Sequence, residues 1–161
     1  MNDPPDLRAV LPHRFPMLLL DRVLTLVPGE QIVAIKAVTC NEPWYARLDL
    51  TIDGAGLRYP RFLLVESLLQ ASAALAGASS PGMRGGEGVT LVGAVVGLRF
   101  HSDAYPGDMV THRVRMIHTG GGAGIYQAAS AVGHTPLFTI DRLVTAVRPA
   151  GALRAPQHPT E

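Results

Sequence analysis

The sequence predicts an α+β fold: one domain in which a curved antiparallel β-sheet wraps around a single long apolar helix. Three observations carry that expectation. Residues 62–78 read Phe-Leu-Leu-Val-Glu-Ser-Leu-Leu-Gln-Ala-Ser-Ala-Ala-Leu-Ala-Gly-Ala, apolar nearly all round, so this helix must be covered on most of its surface. Segments rich in Val, Leu and Ile, punctuated by Gly and Pro, lie before and after it in the manner of strands joined by turns. The chain has 161 residues, enough for a core, and its 47% apolar and 17% charged residues are those of a globular protein. One helix this apolar is best buried by a sheet curved around it.

The elements follow in order. Met1–Asp6 is polar and acidic, which fits a loose arm and not a secretion signal. Asp6–Leu11 fits one helical turn closed by Pro12. Met17–Val27 and Gln31–Cys40 flank Pro28-Gly29 and are expected to pair antiparallel. Asn41–Pro60, with Pro43, Gly54, Gly56 and Pro60, is irregular. The helix ends near Gly77, before the breaker cluster Ser79-Ser80-Pro81-Gly82. Strands are then expected over Val89–Phe100, Met109–His118, Ile125–Val132 and Leu137–Val147, separated by Pro106-Gly107-Asp108 and Gly120-Gly121-Gly122. Residues 1–148 thus form the domain, and residues 149–161 have the composition of a flexible tail. A sheet this small leaves open edges and apolar surface, so a dimer is expected.

Composition excludes some functions. A net charge of +1 gives no basis for nucleic-acid binding. Cys40 is the only cysteine, so no internal disulfide forms. The apolar segment is slightly short for a membrane span and carries Glu66 and Gln70, so a cytoplasmic protein is expected.

Glu66 is the only charge in the helical segment. A lone carboxylate among apolar residues usually has a partner or a chemical task. The plainest partner is Gln70, four residues on and therefore on the same face. The histidines are less informative. None occurs between Arg14 and Phe100. His13, among Pro12, Arg14 and Pro16, fits a structural loop. His112 shares a strand face with Val110, Val114 and Met116, so a packed or interface position is expected. His101 is expected at the surface, His118 near a strand end, His134 in a turn and His158 in the tail. No set has ligand spacing, so neither a metal nor a bound cofactor is expected. Ser67 has no histidine near it in sequence and is not read as a nucleophile. The run Gly120–Gly124 lacks the lysine and helix of a phosphate loop. Arg58, Arg61 and Arg99 read as ordinary solvated charge that an acidic partner would attract.

Four stretches in order resemble the FabZ type of bacterial 3-hydroxyacyl-acyl carrier protein dehydratase. They are Leu11-Pro12-His13-Arg14-Phe15-Pro16 running into Leu18-Leu19-Leu20-Asp21-Arg22-Val23; Ile32-Val33-Ala34-Ile35-Lys36 leading to Asn41-Glu42-Pro43-Trp44-Tyr45; Leu64-Val65-Glu66-Ser67-Leu68-Leu69-Gln70-Ala71; and Arg99-Phe100 followed by Tyr105-Pro106-Gly107-Asp108. The resemblance implies a hotdog fold, a dimer, and an acyl substrate carried on the phosphopantetheine of an acyl carrier protein. It also exposes a departure. In the family, Asn-Glu-Pro and two aromatics lead to Gly-His-Phe-Pro-Gly, then Met-Pro-Gly before the helix. Counting forward from Asn41 puts Arg47-Leu48-Asp49-Leu50 over the first motif. Counting back from Glu66 puts Ile52 at the histidine and Tyr59-Pro60-Arg61 over Met-Pro-Gly. Neither count meets a histidine.

Dehydration of a 3-hydroxyacyl thioester needs a base for the α-proton, an acid for the leaving hydroxyl, and donors for the thioester oxygen. The resemblance implies that Glu66 is catalytic, its burial favouring the protonated acid. It marks Tyr59, Pro60, Arg61, Phe62 and Gln70 as substrate-binding, with backbone amides near Arg61 and Phe62 facing the thioester. Family histidine and glutamate come from opposite subunits. The expectation is therefore a heterodimeric dehydratase of fatty acid or polyketide biosynthesis whose partner brings the histidine. The alternatives are an acyl-binding scaffold subunit and an acyl thioesterase on the same fold.

Overall fold

A computed structural model describes residues 6–48, 54–79 and 88–149. Expectations for the arm before Asp6, for Asp49, Leu50 and Ile52, for the breaker cluster after Ser79 and for the tail beyond Pro149 lie outside the described residues. Helix α1 (Leu7–Val10) is one turn, capped by the Asp6 carboxylate on the Arg8 amide. Strands β1 (Arg22–Val27) and β2 (Gln31–Ala37) form the expected hairpin. Its turn holds Gly29 at φ +79°, a conformation that favours glycine. Two 3-10 helices, Pro43–Arg47 and Gly54–Leu57, occupy the irregular stretch. Helix α2 then runs over Arg61–Ser79.

The rest is sheet: β3 (Gly88–Val96), β4 (Arg99–Phe100), β5 (Met109–Gly120), β6 (Ala123–Val132) and β7 (Thr135–Pro149). All pairs are antiparallel, in the order β1-β2-β5-β6-β7-β3, with β4 also on β7. Helix α2 lies against β2, β5 and β6 at the centre of this order. Leu64, Leu68 and Leu75 are fully buried there with Ile32, Val110 and Val114. Each such leucine contributes about 1.5–3 kcal/mol of apolar burial. The helical stretch Gly54–Ser79 is apolar and long enough to cross a membrane by length and composition, and half of its apolar window is buried within this fold.

Two strand expectations change. Pairing begins at Arg22, not Met17. The Met17 and Leu18 amides turn back onto the Arg14 carbonyl, and Leu19 bonds to the helix instead of a strand. Leu19 and Leu20 are apolar because they are buried, not because they are in the sheet. The Val89–Phe100 segment is broken at Gly97, φ +69°, where any Cβ would collide with the Asp141 side chain.

Candidate active site

The first functional group is built by two anchors. Arg14 donates to the carbonyls of Leu11 at 2.8 Å, His13 at 2.7 Å and Arg8 at 3.0 Å, which fixes the loop that carries His13. Gln70, buried on α2, reaches the other end of that loop. Its Oε1 accepts from the Leu19 amide at 2.9 Å, and its Nε2 donates to the Met17 carbonyl at 2.7 Å. The same Nε2 donates to Oε1 of Glu66 at 3.0 Å, one helical turn earlier. Oε1 also faces Nε2 of His13 at 3.4 Å. The expected Glu66–Gln70 pair is therefore present. His13 joins it, although its neighbours read as a structural loop; the backbone of that loop is structural and its ring faces the carboxylate. Glu66 is not fully buried in this chain: its side chain keeps 30% exposure and that of His13 keeps 31%. Nδ1 of His13 is buried and has no hydrogen-bond partner among the described residues.

The residues before α2 serve different tasks. Tyr59 is fully buried, its amide on the Ala104 carbonyl at 2.8 Å and its hydroxyl 3.5 Å from Glu42. Lys36 lies over its ring and pairs with Glu42 at 2.6 Å. Burial, reinforced by the negative charge of Glu42, pushes the Tyr59 phenol well above its ordinary range and that of Tyr45 up to about 12. Tyr59 is thus a core residue in the single chain, with no side-chain surface to offer a substrate. Pro60 is buried, and its carbonyl accepts the Leu63 and Leu64 amides that start the helix. Arg61 pairs with Asp103 at 2.8 Å and covers the Phe100 ring; Arg58 pairs with the same carboxylate at 2.9 Å. Asp103 thereby offsets two cations at a helix start, where positive charge is unfavourable. Arg99 holds Asp141 through two bonds. These arginines are paired, not simply solvated. Phe62 is 64% exposed and meets Trp44 edge-on.

A second polar cluster lies one residue further along the helix. His112 sits between Ala34 and Ser130 in the sheet register, under Ser67. The small neighbours leave room for the ring. Its Nε2 is 2.6 Å from Ser67 Oγ and its Nδ1 2.6 Å from Ser130 Oγ. Ser67 donates its one proton to the Leu64 carbonyl at 2.9 Å, so Nε2–H of His112 must donate to Ser67. Ser130 then donates to Nδ1, and a neutral ring satisfies the set. Burial, helped by the charge of Lys36, pushes the imidazole down to about 3. Ser67 does have a histidine beside it, supplied by the fold across 45 residues. Both side chains have zero exposure, and the ring presents a proton to Ser67 instead of taking one. This is the packed histidine the strand alternation predicts, and it does not activate a nucleophile.

No group of three or more His, Cys, Asp or Glu side chains arranged to hold a metal occurs among the described residues. A cavity of about 260 Å³ opens between α1 and the start of β1, lined by Leu7, Leu18 and Asp21 among others. It does not include Glu66. The carboxylate stands at a partly open surface of one chain.

The profile of the FabA-like domain matches residues 11–141, most of the chain. This chain belongs to the FabA-like family. Within it, the 3-hydroxyacyl-[acyl-carrier-protein] dehydratase FabZ of Zymomonas mobilis subsp. mobilis is 43% identical over 109 residues, 68% of this chain and 66% of that one. The protein of the same name from Myxococcus xanthus is 33% identical over 150 residues, 89% of this chain and 95% of that one. Among solved structures, the Dehydratase Heterocomplex ApeI:P from Xenorhabdus doucetiae aligns with a TM-score of 0.73 at 17% identity, covering 90% of this chain and 92% of that one. The likeness to FabZ-type relatives and the hotdog fold, both expected from the four motifs, hold.

Proposed function

We propose that this chain is the glutamate-bearing subunit of a cytoplasmic 3-hydroxyacyl-[acyl carrier protein] dehydratase, paired with a related subunit that brings the histidine base. The observation that carries this reading is the state of Glu66. It is held by a buried amide and remains partly open to the surface, and neither described histidine that meets the helix is placed to take a substrate proton. His112 is sealed, and His13 has one nitrogen buried and the other facing the carboxylate at 3.4 Å. The FabZ-named relatives and a structural neighbour described as a dehydratase heterocomplex support the same assignment.

In this reaction the partner's imidazole removes the proton from C2 of the thioester. The freed electron pair forms the C2–C3 double bond, and the C3–O bond breaks. Glu66 gives its proton to the departing oxygen, which leaves as water, and a trans-2-enoyl thioester remains. The Arg61 and Phe62 amides at the start of α2 are suited to the thioester oxygen, because the Pro60 carbonyl takes those of Leu63 and Leu64 and the first N–H groups of a helix have no partner within it. The substrate arrives on the phosphopantetheine of an acyl carrier protein, in fatty acid or polyketide assembly, and no other cofactor takes part.

The test is a dehydration assay with a 3-hydroxyacyl carrier-protein substrate, using the full chain alone and mixed with a histidine-bearing dehydratase-like subunit. Turnover only in the mixture is the expected result. Turnover by the chain alone would overturn the shared site, and release of free thiol instead of water would assign a thioesterase.

A further inference from the structure

We infer that Asp103 is a positioning residue for the start of α2: its carboxylate holds the side chains of Arg58 and Arg61, on either side of Tyr59-Pro60, and so aims the Arg61 and Phe62 amides. The task of those amides at the thioester oxygen rests on the dehydratase reading above; the clamp itself does not.

Contacts from Asp103 and Ala104 reach into the short connector that leads to the helix. Nε of Arg61 donates to Oδ1 of Asp103 at 2.8 Å. Nε of Arg58 stands 2.9 Å from Oδ2. Between them, the Tyr59 amide donates to the Ala104 carbonyl at 2.8 Å. The anchor is itself tied to the sheet. The His101 amide donates to the Leu137 carbonyl at 2.8 Å, and Ser102 Oγ donates to the Pro136 carbonyl at 2.6 Å, both on β7. The Arg61 guanidinium also lies 4.8 Å from the centre of the Phe100 ring, so it is held from two sides. The Asp103 side chain keeps 17% exposure against 46% for each arginine, which makes the carboxylate the sheltered centre of the clamp.

Stability does not account for this arrangement. Two cations at a helix start are unfavourable, and exposed ion pairs return little. The first turn of α2 has no acidic residue of its own, so the anion comes from 42 positions away. What the clamp supplies is direction. Helix-start amides stabilise a developing oxyanion only when they point at it, and a small misplacement is costly. In the family pattern a glycine stands where this chain has Arg61, and a glycine offers no side chain to hold. The clamp belongs to this chain's departure from that pattern.

Two measurements on the full chain test this. The first needs no turnover: amide NMR and hydrogen exchange of the ¹⁵N-labelled protein. Asp103→Asn is expected to move the Arg61 and Phe62 signals and to speed exchange of the Tyr59 amide about tenfold, with the β5 amides of Val110 and Val114 unchanged. The double variant Arg58→Gln/Arg61→Gln empties the clamp from the other side, and should move the Phe62 signal and the Tyr59 exchange in the same direction. Unmoved Phe62 and Tyr59 amides in either variant overturn the proposal. The second measurement uses the mixed dehydratase. Asp103→Asn is expected to lower kcat about tenfold, with KM and the urea midpoint close to wild type. Adding Asp103→Asn to the arginine double variant should cost nothing further, since the three side chains act as one unit. A further loss, or a raised KM at unchanged kcat, would mean that Asp103 acts on the substrate or its carrier and not through the arginines, and positioning would be wrong. A wild-type mixture without turnover defeats the dehydratase reading, while the NMR result still decides the clamp.

Discussion

Consecutive residues of α2 enter two polar clusters of opposite character. Ser67 meets His112 in a pocket where each ring nitrogen has a serine, each serine proton has an acceptor, and nothing reaches solvent. Glu66 meets His13 and Gln70 where one ring nitrogen has no partner and the carboxylate is partly exposed. Both bring a histidine up to a polar side chain of the helix. What separates them is whether a proton can move without leaving a group unpaired. In the first cluster it cannot, so the histidine serves packing and register. In the second one oxygen is fixed and the other is uncommitted, which is what a proton donor needs.

Three substitutions or titrations sharpen that contrast, beginning with the largest effect. Glu66→Gln keeps shape and removes the acid. In the mixed dehydratase it should lower kcat by roughly 10²–10⁴-fold, with the urea midpoint of the isolated chain close to wild type. Undiminished turnover would make the chain a scaffold. His112→Leu should behave in the reverse sense. It leaves the buried Ser130 hydroxyl without its acceptor, at about 1–3 kcal/mol, while Ser67 keeps its bond to the Leu64 carbonyl; urea unfolding measures the loss. Loss of stability smaller than about 1 kcal/mol would mean the cluster adds nothing beyond apolar packing.

The third test is pH. The folded chain keeps His112 neutral down to about 3, while the unfolded chain protonates near the ordinary histidine value of about 6.5. The unfolded state therefore binds the extra proton first. Stability from this residue is whole above about pH 6.5 and falls by about 1.4 kcal/mol per pH unit below it, levelling off near pH 3. His112→Asn should flatten this part of the unfolding profile between pH 6 and pH 4 by roughly that slope. An unchanged slope would show that the ring accepts a proton inside the fold.

Much of the architecture is legible in the sequence because it depends on local composition. The apolar run around Glu66 can only be a covered helix, and Pro28-Gly29 and the glycines after Thr119 mark their turns. The Met17–Asp21 stretch misleads because a loop packed on a helix needs the same leucines as a strand. The break at Gly97 depends on a positive φ set by Asp141 on another strand. The site divides in the same way. Glu66 and Gln70 are legible, being one turn apart on one face. The approach of His13 is not, since it depends on where a distant loop is tied down. The buried amide of Gln70 was the available clue: a glutamine among leucines must find backbone partners, and the loop beginning at Leu11 supplies them. His112 and Ser67 meet only through sheet register.

Lys36 has a practical consequence. It is the one lysine of the chain, almost wholly covered and fastened to Glu42. Amine-directed reagents therefore find no side chain to label while the protein is folded. Labelling at Lys36, counted apart from that of the α-amino group, becomes a reporter of global opening, its rate a clock for how often the sheet parts from the helix.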